Sequence, residues 1–387
     1  MRFEMIDDPQ TNPPPARDIR RIMDGSDTSA RAAMLRAATA CAEPFYATAM
    51  RLRNALYDRR IFRTTSLGKP AISIGNITTG GTGKTPVVQW LAKRLLGANH
   101  HPAVLLRGYK RNAAGISDEQ SLLQAALGEI PVLADPDRIA GARMALRKFP
   151  RTSVFLLDDA MQHRRAARQF ELILIHAGEP FGFGHVLPRG MLREPLDGLR
   201  RASAFLITHA DEASQRDLAE IEAVLHEHQP AAPIFRCDHT IADFRASDPR
   251  GAEPRAGQTP IDRDSSIPSL LGRRYLAFCG IGSPESFFQK LQSSDGDCAG
   301  TRAFADHHDY SVSDLTALQQ LARDTSAEIL ITSEKDWVKL APLARNLPGH
   351  LPIWRASLAL KFWPGQEDAL LDLIDAVIKG SPLYDRR

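Results

Sequence analysis

The sequence predicts an α/β fold: a parallel P-loop sheet domain covered by helices, with a second, smaller α/β domain and an N-terminal helical segment. Three observations predict it. Short, continuously apolar runs alternate with helical segments from residue 70 to about residue 237. The first run leads through Gly80, Gly81, Thr82, Gly83, Lys84 and Thr85 straight into a helix, and after a stretch rich in Pro, Gly and charge (244–268) the same alternation resumes. Strands that are apolar throughout belong to a parallel sheet with both faces covered, because each must bury both of its sides.

Along the chain, residues 1–26 are polar and Pro-rich and read as a disordered head. Residues 27–66 form an N-terminal segment in which Leu35, Ala38, Phe45, Ala49 and Leu56 recur at helical spacing with Arg31, Arg36, Arg51, Arg53, Arg59 and Arg60 between them. Two helices fit, Pro44 opening the second. Such a face either lies on an anionic membrane or packs on the body, and the pattern is the same for both. The nucleotide-binding domain spans 67–243: PAISIGN, a helix over 84–98, PAVLLRG, a helix over 138–148, SVFLLDD, ELILIHA, SAFLIT, a helix over 214–228, and PIFRCD. Loss of periodicity over 244–268 marks a linker. Residues 269–387 form the smaller domain, with RRYLAFCGI, a helix near 284–293, TRAFAD, a helix over 313–324, AEILITS and LPIWRAS.

Composition sets limits on function. Forty-nine Lys and Arg against 46 Asp and Glu leave a net charge of +3, too balanced for a nucleic-acid binder, and no protein partner is predicted. The four cysteines, Cys41, Cys237, Cys279 and Cys298, form no CxxC pair and read as reduced thiols. No apolar run is long enough to cross a bilayer, so the expectation is a protein working in the cytoplasm.

The glycine-rich loop carries the strongest signal. Thr78, Thr79, Gly80, Gly81, Thr82, Gly83, Lys84, Thr85 and Pro86 follow a strand and open a helix, the arrangement that turns successive backbone N–H groups toward a phosphate. The helix N-terminus adds partial positive charge, Lys84 neutralises the β- and γ-phosphates, and the Thr85 hydroxyl can ligate Mg²⁺. The strict pattern has Gly where this chain has Thr78. A Gly-rich turn without a ligand is far less specific than GTGKT at a strand–helix junction. Asp158 and Asp159 end the apolar run SVFLL, where a P-loop protein places a metal-side carboxylate. A guanine-reading motif would need Lys where Thr208-His209-Ala210-Asp211 has His209, so ATP is favoured over GTP.

These residues together resemble the tetraacyldisaccharide 4'-kinase family, from about residue 40 to about residue 370. Its motifs stand here as GNITTGGTGKTP (75–86), RGY (107–109), DE (118–119), LDDAMQHRR (157–165), FGFGHVLPRGMLREP (181–195), GIGSPESFF (280–288), FADHHDY (304–310) and TSEKDWVKL (332–340). The resemblance implies a peripheral enzyme on the cytoplasmic face of the bacterial inner membrane. It would use ATP and Mg²⁺ to phosphorylate the 4'-hydroxyl of a lipid disaccharide 1-phosphate in a site between its two domains. It also implies that Asp118 is the catalytic carboxylate, His307 its partner and Arg193 an arginine near the transferring phosphate. Thr85, Glu119, Asp159 and Glu194 are implied as the metal side. An aspartate can accept the proton of a sugar hydroxyl, and a histidine can orient it. By itself Asp118 reads only as the start of the helix EQSLLQAAL. The chain departs from the family pattern at Leu106, Lys110, Ser117, Gln120, Ala160, Met161 and His176, mostly at loop glycines and prolines. A P-loop ATPase switch that phosphorylates no lipid is the alternative from another class, and a non-catalytic membrane scaffold is a further one.

Overall fold

In the computed structural model the described residues are 15–108, 118–246, 265–267, 269–282, 284–306, 308–344 and 351–380. They fall into two compact units, one formed by Thr240–Ala359 and the other by the chain on either side of it, up to His239 and from Leu360.

The larger unit opens with two helices, α1 (Pro15–Met23) and α2 (Ala30–Asp58). Part of the stretch expected to be unstructured is therefore helical. Arg36 ties α1 to α2 by donating to the carbonyls of Asp27 (2.6 Å) and Ile22 (3.4 Å). Where two helices were expected there is one: Pro44 lies inside α2. A proline there removes one backbone bond, but the residues on both sides of it pack on the same surface, which offsets that loss.

The two sides of α2 differ. Ala47 and Asn54 are buried against the body, while Met34, Cys41, Phe45 and Leu52, spaced by seven, four and seven residues, share the opposite face and are exposed, Phe45 by 78%. The packed-helix reading thus holds for one face, and an apolar stripe remains on the other.

The sheet follows. β1 (Ala71–Asn76) runs into α3 (Lys84–Gly97), then β2 (Pro102–Leu106), α4 (Asp118–Leu127), β3 (Val132–Ala134), α5 (Arg138–Lys148), β4 (Val154–Asp158), β5 (Phe170–His176), β6 (Ala204–Thr208), α6 (Gln215–His228) and β7 (Ile234–Ala246). All neighbouring strands from β3 to β7 are parallel, in the order β3-β2-β4-β1-β5-β6-β7. The sequence-predicted fold class is the observed one. Alternate residues serve opposite faces: Ile72, Ile74, Leu156, Leu172 and Leu174 pack under α3, whereas Phe155, Leu157, Ile173 and Ile175 face α5 and α6. β1 lies between β4 and β5, both later in sequence, so its C-terminal end is a switch point, where ligands of such sheets bind.

The smaller unit takes the second part of β7, which pairs antiparallel with β8 (Ser265–Ile267), and adds β9 (Arg274–Cys279), α7 (Pro284–Gln292), β10 (Asp297–Ala303), α8 (Val312–Asp324), β11 (Ile329–Ser333), α9 (Glu334–Ala344) and β12 (Ile353–Phe362). Its parallel order is β10-β9-β11-β12. Its cores lie on both faces, around Tyr275, Ala277 and Ile331 on one and Leu276, Phe278 and Leu330 on the other. The expected linker is partly strand at 244–246 and 265–267, and the rest of it lies outside the described residues.

The chain then returns to the larger unit, against the expectation that the second domain runs to the C-terminus. Helix α10 (Gln366–Ile378) buries Leu370, Ile374 and Val377 with Leu91 and Leu95 of α3, and Glu367 accepts from Trp90 Nε1 (2.8 Å) and Arg94 Nη2 (2.5 Å). Covering the apolar face of α3 and β1 decides where this helix goes, whatever its position in the chain.

Candidate active site

The phosphate loop leaves the end of β1, and its first residues are fixed by pairing. Thr79 N–H donates to Met191 O (2.7 Å) and Arg193 N–H to Ile77 O (2.8 Å), while Thr78 bridges antiparallel to Leu192. Thr78 is therefore extended and buried, and not among the residues with positive φ; a side chain is tolerated where the strict pattern has glycine. The same pairing carries Arg193 to the loop. Gly83 sits at φ 73°, and a Cβ there would lie 2.7 Å from the ring of His239, so glycine is required twice over. Lys84, Thr85 and Pro86 are the first residues of α3, with Gly83 as its cap and Pro86 in the first turn, where its missing N–H costs nothing.

Lys84 Nζ donates to Asn76 Oδ1 (2.9 Å) and lies 3.5 Å from Asp159 Oδ1. Arg193 Nη1 reaches both oxygens of Asp159 (2.8 and 2.9 Å). Asp159 has φ 49°, a left-handed conformation that Asp adopts more readily than most residues; its N–H donates to Ile74 O (3.0 Å). Burial works to raise the proton affinity of this carboxyl, but Lys84 and Arg193 outweigh it and hold it below the usual carboxylate range. Asp158, by contrast, ends β4 with its side chain buried, and its carbonyl accepts from Arg138 Nη2 (2.9 Å). Of the two aspartates, Asp159 alone is partly exposed, by 32% of its side chain.

Glu194 follows Arg193 but serves differently. It is fully buried, one oxygen accepting from Arg201 Nη2 (2.8 Å) and Gln162 Nε2 (3.2 Å), the other from Asn54 Nδ2 (2.7 Å). Burial would raise its pKa, but Arg201 and these hydrogen bonds keep it lowered. A carboxylate so enclosed and so fully engaged does not fit the metal side to which the resemblance assigned it. Thr85 and Asp159 do fit: both are partly exposed, and Asp159 meets the lysine that begins the helix.

Asn76 and Gln162 stand out only in the folded chain. Asn76 Nδ2 donates to Thr78 O (2.9 Å) while its Oδ1 accepts from Lys84, so one amide orients both ends of the loop. Gln162 Nε2 donates to Asn76 O (3.1 Å) and its Oε1 accepts from Arg193 (3.3 Å). Helix α2 supports the same group: Tyr46 OH donates to Arg193 O (2.8 Å) and Arg53 Nη2 to Gln162 O (2.5 Å). The one signal in the sequence is a polar residue, Asn76, closing a strand that is otherwise mostly apolar.

At the end of β5, just after β6 and within β7, the rings of His176, His209 and His239 stack at centroid distances of 4.3 and 4.1 Å. His209 thus occupies the lysine position of a guanine-reading motif and belongs to a column that ends on Gly83. Of the other departures, Leu106 ends β2, and Ala160 and Met161 are core residues, Met161 packing where a Cβ on Gly75 would fall 2.6 Å away. Gln120 Nε2 caps Val132 O (3.1 Å). Lys110, Ser117 and His307 lie outside the described residues; Asp118 and Glu119 begin α4, and their side chains lie outside them too.

The family model described as tetraacyldisaccharide-1-P 4'-kinase matches residues 35–379. The tetraacyldisaccharide 4'-kinase of Syntrophus aciditrophicus is 37% identical over 327 residues, covering 78% of this chain and 83% of that one. That of Halothermothrix orenii is 33% identical over 317 residues, with 77% and 81% covered. A crystal structure of LpxK from Aquifex aeolicus in complex with ATP superimposes with a TM-score of 0.64 at 26% identity, covering 89% of this chain and 99% of that one. By sequence match over most of its length and by fold, this chain belongs to the tetraacyldisaccharide-1-P 4'-kinase family.

Proposed function

We propose that the chain transfers the γ-phosphoryl group of ATP to the 4'-hydroxyl of a tetraacyldisaccharide 1-phosphate. The observation that carries this is the cluster of Lys84, Arg193 and Asp159 at the mouth of a phosphate loop in a chain of this family. Lys84 and Arg193 are cations of the kind that charge on a transferring phosphoryl draws. The oxygen of the acceptor hydroxyl forms a bond to the γ-phosphorus while the bond from that phosphorus to the bridging oxygen breaks, leaving ADP. The hydroxyl proton goes to Asp118, the base that the family resemblance implies, with His307 as its implied partner. Mg²⁺ would be held by Thr85, Asp159 and Glu119 and would neutralise charge on the phosphates; Glu194 instead holds the loop's surroundings together.

The exposed stripe of Met34, Phe45 and Leu52, followed in sequence by exposed Ile61 and Phe62 and accompanied by exposed Arg31 and Arg59, suits insertion into the headgroup boundary of an anionic membrane. No helix among the described residues is long and apolar enough to cross a bilayer; the attachment proposed is peripheral, on the cytoplasmic face of the inner membrane. Incubating the protein with ATP, Mg²⁺ and a tetraacyldisaccharide 1-phosphate should yield a product heavier by one phosphate. ATP hydrolysis that proceeds equally fast without the acceptor, with no phosphorylated lipid, would favour the ATPase-switch reading instead.

A further inference from the structure

The family match begins at residue 35, yet an ordered helix precedes it. Near the end of α1, Arg20 extends to the phosphate loop. Its Nη1 pairs with Glu179 Oε2 at 3.2 Å, and its Nη2 lies 3.8 Å from the position a Cβ on Gly80 would take. A Cβ on Gly81 would meet nothing within 4 Å, and the other atom near Gly80 is the Met191 methyl at the same 3.8 Å. Over these two glycines the loop is thus open, and the charged group at its rim comes from outside the family-matching stretch.

Three features make the placement specific. Arg36 clamps the C-terminal end of α1 through the Ile22 and Asp27 carbonyls, so the helix has a defined seat on α2. Glu179 follows β5 and is half-buried, which gives the guanidinium a fixed partner while 43% of the arginine side chain remains exposed. The cations already at the loop, Lys84 and Arg193, both lie against Asp159, on the side of the loop that β4 supplies. Arg20 and Glu179 form a separate pair.

We propose that Arg20 is an arginine finger supplied in cis: a guanidinium that binds the terminal phosphate of ATP from the Gly80–Gly81 side of the loop. The inference rests on the ATP-kinase reading above. Arginine suits such a position because its planar fork donates two hydrogen bonds to phosphate oxygens and keeps its charge at every working pH. Charge builds on the γ-phosphoryl oxygens and the bridging oxygen as the terminal bond breaks, and a cation placed there in advance stabilises that charge without reorganising. Glu179 holds the guanidinium at the rim and competes with the phosphate for it.

The test compares binding of ADP with binding of the non-hydrolysable β,γ-imido analogue of ATP by calorimetry, in the full chain and with Mg²⁺. Arg20→Ala should weaken the analogue about tenfold while leaving ADP within twofold, and should lower turnover by roughly 10²-fold. Arg20→Lys should recover part of the loss in analogue binding. Arg21→Ala, one position along the same exposed helix, should change neither ligand. An equal loss for both nucleotides, an unchanged ratio, tighter analogue binding by Arg20→Ala, or the same selective loss in Arg21→Ala would each overturn the assignment. A wild-type chain that binds neither nucleotide would overturn the kinase reading as well, whereas an unchanged ratio with wild-type binding intact removes Arg20 alone.

Discussion

Asp159 and Glu194 are two carboxylates linked through the side chains of Arg193 and Gln162, and they have opposite characters. Asp159 is partly exposed, in a left-handed turn, and its partners are Lys84 and Arg193, cations that a phosphate would also attract. Glu194 is sealed, and its partners Arg201, Asn54 and Gln162 belong to the packing of α2 and the Arg193 segment on the sheet. Both carry lowered proton affinity, so acidity does not distinguish them. What distinguishes them is whether their partners can be drawn away by a ligand. A carboxylate that lends its cations serves chemistry, and one that cannot release them serves the fold.

The largest effect is expected at Lys84. Lys84→Ala should lower phosphoryl transfer by roughly 10³-fold or more, because the loop's point charge on the phosphates is lost, with the unfolding midpoint nearly unchanged. Wild-type turnover in that variant would remove the loop from the mechanism. At Asp159, replacement by Asn should cost about 10²–10³ in turnover, with a steeper Mg²⁺ requirement and again little change in stability. A large drop in melting temperature with full activity in the surviving protein would put Asp159 in the same class as Glu194.

For Glu194 the expectation reverses. Glu194→Ala leaves the buried Arg201 charge without its carboxylate and should cost about 3–5 kcal/mol of unfolding free energy, read from denaturant titration. Its folded-state pKa is lowered, so its stabilisation is complete at neutral pH and disappears only as acid takes the solution below the ordinary carboxylate range. Activity lost without loss of stability would return Glu194 to the metal side.

The smallest effect belongs to His163. Burial, then Arg138 and Arg168, push its pKa down to about 4. The unfolded chain binds that proton at the ordinary value of about 6.5, so stability should fall, on the order of 1 kcal/mol after solvent screening, as the pH drops from 6.5 toward 4. His163→Asn should flatten the stability profile in that window. A slope that survives the substitution assigns the acid sensitivity elsewhere.

Much of this contrast is legible in the amino-acid sequence, and part is not. The phosphate loop and Asp159 announce themselves because their chemistry depends on local order: glycine, lysine and threonine in sequence, and a carboxylate ending an apolar strand. Arg193 and Glu194 are adjacent, and resemblance gave both a site role. Only the pairing of 191–193 with 77–79 shows that one turns to the loop and the other into the packed interior. Asn76 and Gln162 are inconspicuous in the sequence because their amides acquire their roles only on folding: Asn76 from Lys84 across the loop, and Gln162 from Arg193 and from the Asn76 backbone carbonyl, 86 residues away. The placement of α10 was illegible for the same reason: its apolar pattern states that it is covered, and only the surface left open on α3 states by what.

That late helix bears on the order in which the protein is made. The ribosome completes the apolar face of β1 and α3 early, but the helix that covers it lies beyond residue 365, after the whole of the smaller unit. The segment Thr240–Ala359 is therefore finished while its host is still missing a wall, and the inserted unit can reach its native state first. Chains stopped after Ala359 should carry a protease-resistant smaller unit beside a larger one that binds hydrophobic dyes and is readily cleaved. Equal protection of both parts would show that α10 is dispensable to nascent-chain folding.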